Sequence, residues 1–188
     1  MIVKMPGLFD IHIDEIPQAG LDRSSDLPEG WLASHLGSAY RSTGKPETIR
    51  AHVRREGNNV LVTATLKGEV RFECSRCADA GIRSLDLAVK ALFVPQDATH
   101  IHLEDMDMSA DGLEGMFEYT GRTFSIEPPL AEAVVFAFED YPLCTEDCAG
   151  LCPTCGRNLN SETCECGTPG KDSPFAALGK LKNTLARK

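Results

Sequence analysis

The sequence predicts an α+β fold: an antiparallel sheet, meander-like or barrel-like, with a few helices and a cysteine-rich segment behind it. Three observations carry this reading. Apolar and polar residues alternate over 49–54, 60–72 and 85–93, the period of half-buried strands, with a Gly57-Asn58-Asn59 turn between the first two runs. Leu130, Val134 and Phe138 share one helical stripe, with Ala133 and Ala137 beside it. Eight cysteines all stand in closely spaced pairs, one pair at 74–77 and three between 144 and 166.

The elements follow in chain order. Phe9, Ile11 and Ile13 alternate with Asp10, His12 and Asp14, so Leu8 to Ile16 reads as a first strand with one buried face. Pro17 to Leu27 is polar and reads as a loop. Pro28-Glu29-Gly30 precedes a short helix, Trp31 to Leu36, which Gly37 ends. Ser42 to Pro46 is a loop. Ile49, Ala51 and Val53, then Val60, Val62, Ala64 and Leu66, form a hairpin that delivers the chain to Cys74. Leu85, Leu87, Val89, Ala91 and Phe93 alternate again, which makes the order strand, turn, strand, cysteine pair, strand an antiparallel meander. Pro95 to Phe117 is an acidic loop, and its His100 and His102 read as surface residues. Arg122 to Ile126 is another strand, and Pro128-Pro129 opens the helix that carries the Leu130 stripe, at the one turn where a missing N–H costs little. Gly167 to Gly170 is a hinge. A last helix runs from Pro174, capped by Asp172 and Ser173, with Phe175, Leu178, Leu181 and Leu185 as its stripe and a basic end. The chain therefore divides into a core domain at 1–143 that includes the first cysteine pair, a cysteine-rich segment at 144–170 and a basic amphipathic helix at 171–188.

Length and composition bound the function. A chain of 188 residues with 42% hydrophobic and 25% charged residues is an ordinary globular domain, which excludes the disordered, collagen-like and coiled-coil classes. No apolar run approaches the roughly 20 residues that span a bilayer. Met1 to Pro6 lacks the apolar region of a signal peptide, so the chain reads as cytoplasmic and not membrane-bound. The net charge of −9 argues against a protein that coats nucleic acid. The charge is also uneven: Gln96 to Asp147 holds 13 acidic residues and one basic residue, Arg122, while the rest of the chain is mildly basic.

The cysteine spacing points to metal. Cys74-Ser75-Arg76-Cys77 is a CxxC, Cys144 and Cys148 a CxxxC, Cys152-Pro153-Thr154-Cys155-Gly156 a CPxCG, and Cys164-Glu165-Cys166-Gly167 a CxCG. In a reducing compartment such a set binds metal more often than it forms disulfides. In a zinc knuckle a tight turn between two thiolates aims backbone N–H groups at the sulfurs; Pro153 stiffens that turn and Gly156 supplies the permissive backbone after it. Zn2+ takes four such ligands in a tetrahedron, so eight cysteines suffice for one or two structural ions. The short loop from Gly156 to Thr163 favours Cys152, Cys155, Cys164 and Cys166 as one local site. This leaves Cys74, Cys77, Cys144 and Cys148 for a long-range one; other divisions, such as Cys148 replacing Cys164 or Cys166, stay open. An Fe–S cluster or a redox CxxC uses the same residue type, but no βαβ pattern surrounds Cys74. A closed tetrathiolate leaves no position to activate water, and GxGxxG, P-loop and GxSxG motifs are absent, so the chain reads as non-enzymatic, with no small-molecule substrate.

These motifs carry a family resemblance. The run from Leu143 through Cys148-Ala149-Gly150-Leu151-Cys152-Pro153-Thr154-Cys155-Gly156-Arg157-Asn158-Leu159-Asn160, with Cys164 and Cys166 behind it, resembles the YceD family, the large-ribosomal-RNA-subunit accumulation proteins. Cys74 to Cys77 at a strand end resembles the family's first cysteine pair, and Ser173-Pro174-Phe175-Ala176-Ala177-Leu178-Gly179-Lys180-Leu181 its C-terminal signature, where the family often has Asp-Pro-Arg. The resemblance runs from about Val60 onward. It implies a cytoplasmic ribosome-biogenesis factor needed for 23S ribosomal RNA to accumulate, acting on a precursor ribosomal RNA or an early large-subunit protein. Candidate contact residues are Arg76, Arg157, Asn158 and Asn160 beside the thiolates, and Lys180 and Lys182 in the tail. The alternative is an acidic adaptor that holds a basic ribosomal protein without touching RNA, and the third reading is a thiol-redox protein.

Overall fold

The computed structural model describes residues 7–96 and 115–166. The expected hinge at 167–170, the C-terminal helix with Lys180 and Lys182, and the residues His100 and His102 lie outside the described residues.

The centre of the fold is a meander of three long strands: β4 (Thr48–Glu56), β5 (Asn59–Glu73) and β6 (Ala80–Pro95), each antiparallel to the next. The two-residue connection at Gly57 and Asn58 fixes the register at Glu56↔Asn59, so Ile49, Ala51 and Val53 fall in line with Leu66, Ala64 and Val62. Those residues, with Val60, Val70, Phe72, Val89, Ala91 and Phe93, are buried on one face of the sheet. Arg50, His52, Thr63, Thr65 and Lys90 stand on the other.

The core face is covered by α1 (Trp31–His35), α2 (Glu127–Ala137) and a two-stranded ribbon of β1 (Asp10–His12) and β8 (Thr123–Ser125). Trp31 and Leu32 from α1, Leu130, Ala133 and Val134 from α2, and Ile11 and Phe124 from the ribbon are all buried. The five-residue α1 is too short to be stable alone. The buried Glu47 accepts its Leu32 N–H at 2.8 Å, and the Trp31 indole donates to Glu127 at 3.2 Å. Burial pushes the Glu47 carboxyl above its ordinary range, against the backbone N–H groups of Leu32 and Trp31.

Four expectations are corrected. The sheet is not a closed barrel: its order is β2-β4-β5-β6-β7, with β3 (Tyr40–Ser42) pairing the far end of β5. It is mixed rather than antiparallel throughout, because β7 (Gly115–Tyr119) lies parallel to β6. The polar stretch expected to be a loop contains β2 (Leu21–Asp26), an edge strand against β4; its side chains alternate between half-buried and exposed, but only Leu21 is apolar, so hydrophobic period gives no signal. The first strand is short, and Ile13–Glu15 turns into a 3₁₀ helix.

Candidate metal centre

Cys74 and Cys77 sit on the turn that joins β5 to β6, at the end of the long hairpin. Cys144 and Cys148 follow α2, on a segment that the fold holds against that turn. Phe138 and Pro142 are buried, the Tyr40 hydroxyl donates to the Glu139 carbonyl at 2.7 Å, and the Ser75 N–H donates to the Pro142 carbonyl at 2.8 Å. The four sulfurs consequently lie within 4.8 Å of one another. Cys152, Cys155, Cys164 and Cys166 make a second group of four inside the same limit. The eight thiols thus fall into the division that loop length favoured.

The spacing suits one ion per group. Cys74 Sγ to Cys148 Sγ is 3.7 Å and Cys77 Sγ to Cys144 Sγ is 3.6 Å. A tetrahedron with metal–sulfur bonds of about 2.3 Å has an edge of about 3.8 Å. A disulfide requires about 2.05 Å. Four soft donors at this spacing are a set that could hold a tetrahedral thiolate-bound ion.

The two CxxC turns have the same backbone. The Ala78 N–H donates to the Cys74 carbonyl at 2.9 Å, and the Gly156 N–H to the Cys152 carbonyl at 2.8 Å. The residue after the second cysteine is left-handed in both, with φ of 60° at Ala78 and 73° at Gly156. Gly156 takes that conformation freely, whereas Ala78 carries a Cβ that crowds it.

The turns also explain the electrostatics. Burial opposes charge on Cys74, yet the backbone N–H groups of Arg76, Cys144 and Cys77 prevail and hold its thiol down to about 6. The N–H groups of Cys155 and Thr154 do the same for Cys152, again to about 6. The Asn160 amide lowers Cys148. Their neighbours move the other way: hydrogen bonding with Cys148 raises Cys144, and hydrogen bonding with Cys155, then burial, raises Cys166 to about 11. Four thiolates this close repel one another, and a divalent cation among them is what lets all four ionise.

The second group is docked on the first. The Leu151 N–H donates to the Arg76 carbonyl at 3.2 Å, and Leu151 forms a bridge with Asn158. Gly150 lies so close that an added Cβ would stand 3.2 Å from the Arg76 carbonyl. Asn160 donates to Cys148 Sγ at 3.3 Å and accepts the Ala149 N–H at 2.7 Å. Asn158 donates to Asp79 at 2.7 Å and accepts from the Asn160 N–H at 3.0 Å. Arg76 donates to the Cys148 carbonyl at 3.0 Å. Three of the proposed contact residues, Arg76, Asn158 and Asn160, therefore also make hydrogen bonds within the frame of the two groups. The Arg157 side chain is exposed and, among the described residues, reaches Thr163 O at 3.5 Å and Glu162 at 3.9 Å. Sequence reasoning missed Asp79, which accepts from both Cys77 Sγ, at 3.3 Å, and Asn158. Its position two residues past a cysteine is the only local signal it carries.

Among the described residues, no helix is long and apolar enough to cross a membrane. No solved structure matches the chain. An uncharacterized protein of Mycobacterium tuberculosis is 32% identical over 111 residues, 58% of this chain and 50% of that protein. An uncharacterized protein of Mycobacterium leprae is 29% identical over 117 residues, 62% of this chain and 50% of that protein. The chain spans about half the length of these relatives. A chloroplastic large ribosomal RNA subunit accumulation protein, YCED homolog 1 of Arabidopsis thaliana, is 39% identical over 46 residues, 24% of this chain and 14% of that protein. The family model of the large ribosomal RNA subunit accumulation protein YceD matches residues 62–182, from the middle strand of the meander through both cysteine groups, and the chain belongs to that family.

Proposed function

We propose that this protein is a non-enzymatic factor in production of the large ribosomal subunit. It acts in the cytoplasm, supports accumulation of 23S ribosomal RNA, and does so by binding a precursor ribosomal RNA or an early large-subunit protein. The match of residues 62–182 to the family of that description carries the reading. Two structural Zn2+ ions, one on Cys74, Cys77, Cys144 and Cys148 and one on Cys152, Cys155, Cys164 and Cys166, hold the binding surfaces in place. The four-sulfur donor sets and the tetrahedral spacing support zinc, the ion that such sets bind in closed structural sites. With all four ligand positions filled by protein, the ions contribute stability rather than catalysis. The candidates for contact with RNA are Arg76, Arg157, Asn158 and Asn160 beside the thiolates and the tail residues Lys180 and Lys182.

The test is genetic and chemical together. Cells lacking the protein are expected to accumulate less 23S than 16S ribosomal RNA, and the wild-type gene to restore the ratio. The purified chain is expected to carry two zinc ions by native mass spectrometry. An unchanged RNA ratio refutes the assembly role, and a metal-free, disulfide-bonded chain refutes the zinc staple.

A further inference from the structure

The second half of α2 is apolar on both sides. Leu130, Ala133 and Val134 face the core, whereas Phe136 on the opposite side is 78% exposed. Tyr141, three residues beyond the helix cap Phe138, is also 78% exposed. Large rings left in water on one short stretch mark an interaction surface, and aromatic anchors carry much of the energy of such surfaces. This stretch is not a loose loop. Buried Phe138 and Pro142 bracket it, the Tyr40 hydroxyl and the Ser75 N–H hold the Glu139 and Pro142 carbonyls, and Cys144 joins the first cysteine group.

Charge decides what fits there. From Thr123 to Gly156 the chain has no Lys or Arg and six carboxylates. Glu127 takes the Trp31 indole N–H, and Glu139 faces Arg83 at 3.9 Å. The carboxylates of Glu132, Asp140, Glu146 and Asp147 are exposed and have no ion-pair or hydrogen-bond partner among the described residues. Bases stack on aromatic rings, but this stretch offers no cation to meet their phosphates. A guanidinium or ammonium group meets both features at once: the carboxylates attract it, and a ring face binds it.

We propose that Phe136 and Tyr141, with Glu132, Asp140, Glu146 and Asp147 on the same stretch, form the docking surface for an arginine- and lysine-rich polypeptide segment. The proposal rests on the assembly reading above and chooses a basic protein, not RNA, as the partner of this face.

The probe is a fluorescent 16-residue peptide of four Arg-Lys-Gly-Leu repeats, titrated with the full chain at near-physiological salt; a uridine 16-mer is titrated in parallel. The double variant Phe136→Ser, Tyr141→Ser keeps the net charge and is expected to weaken peptide binding about tenfold or more. The double variant Asp140→Lys, Glu146→Lys keeps the rings and is expected to weaken it by at least as much and to flatten its salt dependence. All the changed residues are exposed, and unchanged melting curves will show that both variants fold. Three results overturn the proposal: peptide binding unaffected by loss of the rings, tighter binding of the uridine oligomer through the same rings, or a wild-type dimer that the ring variant converts to monomer. Complementation separates this proposal from the assembly reading. If the wild-type gene restores 23S ribosomal RNA and the ring variant restores it equally, the surface is wrong and the assembly role stands. If deleting the protein leaves the RNA unchanged while the peptide results hold, the surface stands and the assembly role falls.

Discussion

The first cysteine group takes its sulfurs from a hairpin turn and from a segment 67 residues further on, and three of its four cysteines are buried. The second group takes all four from residues 152–166, and only Cys152 is buried. The two share a turn geometry down to the left-handed residue behind the second cysteine. An ion in the first group would close a long loop and fix α2 and the segment behind it on the end of the meander, so its loss is felt through the whole core. An ion in the second would order a short excursion with few apolar residues, which leans on the core through Asn158, Asn160 and Leu151. The same ligand set can therefore hold a tertiary contact in one place and a local loop in another; sequence distance between the ligands decides which.

The largest expected effect tests that difference directly. Cys148→Ser is expected to cost at least about 4 kcal/mol, a large share of a domain's typical stability, and to lower the melting temperature of the whole chain. Cys155→Ser is expected to leave the core transition within about 4 °C of wild type while residues 152–166 lose protection in hydrogen exchange. Equal losses of core stability in the two variants would break the comparison. A middle effect tests the coupling between the groups. Asn160→Ala removes the amide that donates to Cys148 Sγ and accepts from Ala149, and is expected to cost about 1–2 kcal/mol in denaturant unfolding. A loss confined to residues 152–166 would show the groups to be independent.

The smallest effect sharpens the equivalence of the turns. Ala78→Gly is expected to stabilise the first turn by about 1 kcal/mol, and Gly156→Ala to destabilise the second by a similar amount, since each exchanges an alanine and a glycine at a left-handed position. Opposite signs in paired melting curves will confirm one backbone in both places; the same sign would refute it.

Much of the fold was legible because it rests on short-range pattern. The alternation from Ile49 to Phe93 marked the three long strands, and the stripe at Leu130 and Val134 marked α2. β2 escaped because an edge strand with one polar face and little burial needs few apolar residues. β7 escaped as well: its first three residues fell in the stretch expected to be a loop, and its parallel pairing is set by the path of the connection and not by the strand's own residues.

At the site, the residue types and spacing of Cys74, Cys77, Cys144, Cys148, Cys152, Cys155, Cys164 and Cys166 were enough to indicate metal, since a soft divalent ion needs thiolates in pairs that a tight turn can present together. Which sulfurs share a centre depends on where remote segments pack. Only the tertiary structure puts Cys144 3.6 Å from Cys77, ties Arg76, Asn158 and Asn160 by hydrogen bonds into the frame of the two cysteine groups, and leaves Phe136 and Tyr141 in solvent. The physical reason is range: the hydrogen bonds and periodicities of a turn or a strand lie within a few residues of sequence, whereas burial and ligand sharing are decided by neighbours that the chain brings together only when it folds.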